Sequence, residues 1–252
     1  MRIPAFLIAA AIAAPAFGET DLDTRHEYAL SIAGIEIGDV VLEVDAQGED
    51  YAVTIDGGYR FLFWSGAANI VTEGRHSAEG FSPRSYRSRL VSSTREVRTE
   101  IDFDEAGVSS ADFRSDPPFD PEQFSNRVPV KEGDLLGARD PISSFLIRAA
   151  DGTEACSGDL QVFSGIVRFD LKLSPMGAAA DGADPDRAVC KTEYRPISGH
   201  RVESDEVDRL SGEGLDVALF EIAPGLWAPE RVGFRTRFGT LALERKAEQG
   251  AL

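Results

Sequence analysis

The chain has 252 residues, with 26 Lys or Arg against 43 Asp or Glu, a formal net charge of −17. An acidic surface of that size repels the phosphates of nucleic acids and the headgroups of anionic lipids, which excludes a nucleic-acid partner; solubility is the simplest account of the bias. Residues 1–18, MRIPAFLIAAAIAAPAFG, place Arg2 before a short apolar run and then small residues and a proline. Those are the three parts of a secretory signal peptide, with cleavage expected after Ala16 or Gly18. The run is shorter than the roughly 20 residues needed to span a bilayer. No cysteine stands at its exit, so a lipoprotein anchor is not expected, and no later stretch reads as a transmembrane segment.

From Arg25 onward, short apolar-alternating segments are punctuated by Gly and Asp. YALSIAG (28–34), IEIGDVVLEVDAQ (35–47) and YAVTIDGG (51–58) open the pattern. SGAANIVTEGRH (65–76), PRSYRSRLVSST (83–94) and TREVRTEIDFD (94–104) continue it, and GVSSADFRS (107–115) closes it. Period-two alternation with turn residues between predicts a meander of about seven strands. YRFLFWSG (59–66) interrupts the alternation. Four consecutive apolar residues cannot share one face, so the segment reads as a short helical or bent corner plugging one end of the sheet, with Tyr59 and Trp64 at the rim. An entrance or membrane-touching lip is the open alternative. Tyr59, Phe61, Phe63 and Trp64 are the candidate ligand-binding residues.

DPPFDPEQFSNRVPV (116–130) reads as an exposed loop crossing one end of the sheet. A helix is predicted over about 141–150: Asp140 as N-cap, Pro141 at the first position, Gly152 as the stop, and Ile142, Phe145, Leu146 and Ala149 as one buried stripe. DLQVFSG (159–165) and IVRFDLKLSP (166–175) predict a hairpin, followed by an acidic loop over 176–187. A strand over 188–199, a charged connection over 200–214 and strands over 217–222, 228–238 and 240–246 complete the chain. The fold class is mainly β: one domain over 19–252 in which an antiparallel curved sheet, a half-barrel or open barrel, wraps one central helix.

Cys156 and Cys190 are the two cysteines. In an exported chain a lone pair points to a disulfide closing a loop of about 34 residues. A thiol nucleophile is the alternative; it would want a basic neighbour, and none is near in sequence. Two cysteines and the scattered His26, His76 and His200 do not make a zinc site. No G-x-S-x-G is present, and Ser143 and Ser144 have no histidine nearby in sequence. Carboxylate pairs such as Glu100 with Asp102, or Asp102 with Asp104, are frequent by chance among 43 acids. Arg84, Arg87, Arg89, Arg95 and Arg98 form a basic run that is either the solvated side of a sheet or an anion-facing stripe. DGADPDR (181–187) is a weak calcium candidate or, more simply, a solvated loop. No metal and no cofactor is called for.

Several phrases taken together resemble a known family: YALSIAGIEIGDVVLEV, SAEGFSPRSYRSR, DPISSFL, CSGDLQVFSGIVRFDLKL, CKTEYRPISGH and FGTLALERK. In order and spacing, over residues 26–246, they resemble the bacterial domain-of-unknown-function family DUF3108. The resemblance implies an exported protein of a Gram-negative bacterium, hence a periplasmic home, and a β-rich half-barrel similar in shape to lipoprotein carriers or lipocalins. It supplies no activity and no catalytic residues. The expectation is a monomeric, non-catalytic protein that binds a lipid or acyl chain. The alternatives are an envelope-assembly factor with a filled core that binds a protein partner and, last, a hydrolase.

Overall fold

Strand follows strand through almost the whole molecule. In the structure, a computed structural model describing residues 21–119, 125–176 and 184–247, fourteen strands join one antiparallel sheet. They are β1 (Leu22–Ile32), β2 (Ile35–Gln47), β3 (Asp50–Phe61), β4 (Trp64–Ser77), β5 (Gly80–Ser92), β6 (Glu96–Asp104) and β7 (Gly107–Asp116). After the crossing loop come β8 (Ile147–Arg148), β9 (Gly158–Phe163), β10 (Arg168–Pro175), β11 (Arg187–Ser198), β12 (Asp216–Ala223), β13 (Leu226–Thr236) and β14 (Gly239–Arg245). Three short helices are α1 (Glu132–Leu135), α2 (Gly152–Ala155) and α3 (Asp205–Glu213).

The strand order is β7-β6-β5-β4-β3-β2-β1-β14-β13-β12-β11-β10-β9, with β8 added against β13. Most neighbours are hairpins closed by two residues, as at Ile32↔Ile35, Phe61↔Trp64 and Thr236↔Gly239. Ala33 and Gly34 both have positive φ (51° and 81°), the turn that matches the right-handed twist of its strands. The long-range joint is β1 with β14, where Leu30 faces Leu243 and Ile32 faces Leu241. It unites the two halves of the chain.

The edge strands β7 and β9 do not pair with each other. Residues 136–139 run between them instead: Leu136 bridges Gly107, and the Arg139 amide donates to the Gln161 carbonyl while Phe163 N donates to Arg139 O, both at 2.8 Å. One short segment thereby occupies backbone groups of both edges, which would otherwise invite another strand.

Inward-facing residues of alternate positions form the core. Tyr28, Leu42, Val44, Tyr51, Val53 and Phe81 pack with Leu146 and Phe220. A second cluster gathers Leu171, Leu173, Leu219 and Trp227 around Cys156 and Cys190. These cysteines are joined in a disulfide with Cα atoms 5.2 Å apart, and both are buried. No thiol remains to act as a nucleophile.

The helix predicted over 141–150 does not form. Asp140 does cap, accepting from the amides of Ile142 (2.8 Å) and Ser143 (2.9 Å), but only a 3-10 turn, Ser143–Phe145, follows. Ile147 and Arg148 then extend and pair with Trp227 and Leu226 as β8. Ile142, Ser143, Ser144 and Ile147 are modest helix formers, so lateral bonds to the sheet prevail. Gly152 opens α2 rather than ending a helix; Asp151 caps it by accepting from Thr153 and Glu154 amides.

The corner plug predicted at 59–66 is also absent. β3 and β4 continue to Phe61 and Trp64 and turn at Leu62–Phe63, leaving Phe63 92 % exposed. Gly57 and Gly58 lie inside β3. A Cβ on Gly57 would stand 2.7 Å from the Val40 side chain, so the glycine allows close approach within the sheet. The connection over 200–214 contains α3, capped by the Ser204 hydroxyl accepting from Val207 N. Of the crossing loop, residues 120–124 lie outside the described residues. Beyond them Val128 N donates to His200 O and Gly199 N to Val128 O, which carries the chain across to the end of β11.

Candidate functional site

An apolar concavity lies between the inner faces of β1–β3, β13 and β14 and the segment 141–146. Its volume is about 250 Å³. Leu30, Val40 and Ile55 form one wall, Val232, Phe234 and Leu241 the other, and Ile142 and Phe145 the roof. Tyr28 lies at the base, where its hydroxyl donates to the Pro229 carbonyl at 2.7 Å. Burial pushes the Tyr28 phenol well above its ordinary pKa. The base therefore offers a neutral ring edge and no charge. Apolar surface with few polar groups, partly open on one side, is the lining that accepts an alkyl chain.

The roof is held by a buried polar cluster. Asp140 is fully buried and also accepts from the Thr72 hydroxyl at 3.1 Å. Ser143 Oγ lies 2.7 Å from Tyr51 Oη and 3.1 Å from Thr72 Oγ1, and the Ser144 hydroxyl donates to the Asp140 carbonyl at 2.7 Å. Burial raises the Asp140 carboxyl above the usual carboxylate range, partly offset by the bonds from Ser143, Ile142 and Thr72. The sequence D-P-I-S-S thus places two hydroxyls and a carboxylate on the sheet side of the turn and Ile142 on the cavity side. Among the described residues, Ser143 and Ser144 bond to these groups and not to a histidine, so they anchor the roof and form no nucleophile–base pair.

The other candidates read from sequence disperse over the surface. Asp102 accepts from Arg87 (2.6 Å) and Ser110 (2.9 Å), and Glu100 pairs with Arg87 at 3.7 Å. Asp104 instead caps the turn at Ala106 N. Arg89, then Arg98, hold Glu96 down to about 2, and Arg84 pairs with Asp50. Arg95 lies over the Phe119 ring. The basic run is thus largely neutralised across strands and presents no anion-facing stripe. His26 packs edge-on against Phe220, His76 stacks on Phe81, and His200 lies beyond β11, three separate places. Among the described residues no group of three or more His, Cys, Asp or Glu is placed to hold a metal ion. Residues 181–183 of the weak calcium candidate lie outside the described residues.

Of the four aromatic candidates, none lines the 250 Å³ cavity. Tyr59 borders a separate shallow groove with Arg60, Ser65 and Gly66. Phe61 is half-buried at the end of β3, while Phe63 and Trp64 are exposed at the hairpin tip. The cavity residues themselves are ordinary inward strand positions, so sequence gives each no separate signal. Their convergence becomes readable once β14 is known to pair with β1.

Comparison with known families finds one match, described as "Protein of unknown function (DUF3108)", over residues 27–179. The match takes in β1–β10 and the roof segment but not β11–β14, a shorter span than the 26–246 over which the sequence phrases suggest likeness. Comparison with curated proteins and with solved structures gives no match. No helix among the described residues is long and apolar enough to cross a membrane. With more than half of its length matched, and both the polar anchor Asp140–Ser144 and one wall of the cavity inside the match, the chain belongs to the DUF3108 family.

Proposed function

We propose that this protein is a non-catalytic carrier or sensor of an apolar ligand, a lipid or single acyl chain, working in the periplasm after export. The observation that carries the reading is the concavity of about 250 Å³ lined by Leu30, Val40, Ile55, Phe234 and Leu241. A filled core would have placed larger side chains there, since interiors normally pack to the density of organic crystals. The curved sheet, whose edges β7 and β9 stay unpaired with each other and are bridged by residues 136–139, and which is roofed by the Asp140-anchored turn, suits a half-barrel carrier of the lipoprotein-carrier or lipocalin kind. Such a barrel holds a small apolar ligand between sheet and cover. The leader-like residues 1–18 and the disulfide support export into an oxidising compartment. The test is titration with a fluorescent fatty acid. Saturable binding is expected for the wild type, and Leu30→Trp, which fills the concavity from the β1 wall, is expected to weaken it by about tenfold or more. Binding left unchanged by Leu30→Trp, in a variant of unaltered Tm, contradicts the reading.

A further inference from the structure

The strands that wall the concavity end in three hairpin turns at one end of the sheet: β1–β2 at Ala33–Gly34, β3–β4 at Leu62–Phe63 and β13–β14 at Arg237–Phe238. Registers place these turns level with one another. Gly38 faces Tyr59, which sets Ile35 beside Leu62; Ile32 faces both Ile35 and Leu241; and Leu241 faces Phe234. The large apolar residues here point to solvent. Leu62 is 74 % exposed, Phe63 92 % and Trp64 54 %, with Ile35 and Phe238 also exposed. Leu62 holds a left-handed backbone (φ 54°) that a leucine adopts at a cost of about 1 kcal/mol. A two-residue turn facing water would more cheaply use Gly or Asn.

The charge at these turns opposes that of the chain. Within two residues of the three turns stand Arg60, Arg235 and Arg237, the last lying over the Phe238 ring at 4.6 Å. The acid there is Glu36, which is paired with Lys246 at 3.0 Å. A net charge of −17 resists an anionic surface approached broadside. End-on, acids set back along the strands are screened, because the Debye length is about 8 Å at physiological ionic strength and a strand rises about 3.3 Å per residue. Trp and Phe at a protruding tip with arginines beside them are the residues that settle at the boundary of headgroups and acyl chains. Leu30, Phe234 and Leu241, the cavity residues nearest these turns, put the concavity's tip-side lining directly behind them.

We infer that the three hairpin tips dock the protein end-on to an anionic phospholipid surface, with Leu62, Phe63 and Trp64 inserted among the acyl chains and Arg60 and Arg237 at the headgroups. The docking depends on the exposed tips and not on whether the concavity is filled. Two tryptophans report on it: Trp64 at the tip and Trp227, 1 % exposed, in the core. The full mature chain is mixed with vesicles of phosphatidylethanolamine and phosphatidylglycerol and separated by flotation. Wild-type protein is expected to float and its Trp64 emission to shift to the blue. Leu62→Ser with Phe63→Ser, both at exposed positions, is expected to lower partitioning about tenfold or more with Tm not reduced. Arg60→Glu with Arg237→Glu is expected to lower it similarly. Leu30→Trp, which blocks the concavity, is expected to float like the wild type, so loss of ligand binding and loss of docking are read separately. Failure of the wild type to float, or flotation undiminished in the Leu62→Ser/Phe63→Ser protein, overturns the inference. So does self-association through the tips without vesicle binding.

Discussion

Asp140 is buried where two amides of its own turn and the Thr72 hydroxyl of β4 meet, and its ionisation follows from that position. Its carboxyl is raised by burial, so the folded chain binds the proton more tightly than the unfolded chain does. The stability that this contributes is full below the ordinary carboxylate range and is lost as pH rises through the raised folded value. Denaturant midpoints of the wild type are therefore expected to fall across that window more steeply than those of Asp140→Asn; parallel curves would refute the assignment. Asp140→Ala leaves the Ile142 and Ser143 amides and the Thr72 hydroxyl without their acceptor. The expected cost is about 3 kcal/mol in urea unfolding. Leu62 gives the opposite sign: Leu62→Asn, relieving a left-handed leucine, is expected to raise stability by about 1 kcal/mol. At this scale sequence was informative for the cap, because Asp before Pro is a local signal. It was silent on Thr72, which reaches Asp140, and on Tyr51, which reaches Ser143, only through the fold.

Elements were legible in proportion to how local their causes are. Strands β1–β7 and β9–β14 follow from alternation and turn residues, and most predicted ends fall near the observed ones; β1 starts six residues earlier, at Leu22, and β3 runs on to Phe61. The DPISSFLIR segment misleads because its cap and apolar spacing are helical while its stability comes from lateral partners. β8 pairs with β13, and the Trp227 indole donates to the Ala149 carbonyl at 3.2 Å. The 59–66 segment misleads because its apolar run breaks the alternation just after two glycines, although Gly57 marks a close approach of β3 to β2 and Gly58 one of β3 to β4. The disulfide was legible because two cysteines admit one intramolecular pairing. It ties α2 to β11 across 34 residues. Replacing both cysteines by alanine is expected to lower unfolding free energy by about 3–4 kcal/mol on the loop-entropy estimate. Alkylation of the native, unreduced protein is expected to label neither; labelling of both would exclude the bond in solution.

The whole molecule is organised by β1 against β14, which brings the first three strands and the last two to one concavity. That pairing joins residues more than 200 apart and has no signature in either segment, which is why an all-β sheet was readable and its cavity was not. The same pairing aligns the exposed hairpin tips on one end, so the concavity and the proposed docking end arise from one topological fact. The account stands or falls on whether the concavity holds a ligand, and native mass spectrometry of the protein, isolated from cells without detergent, asks this directly. The wild type is expected to carry a single amphiphile adduct that is absent from Leu30→Trp. A bare wild-type mass, or an equal adduct on both proteins, would contradict it.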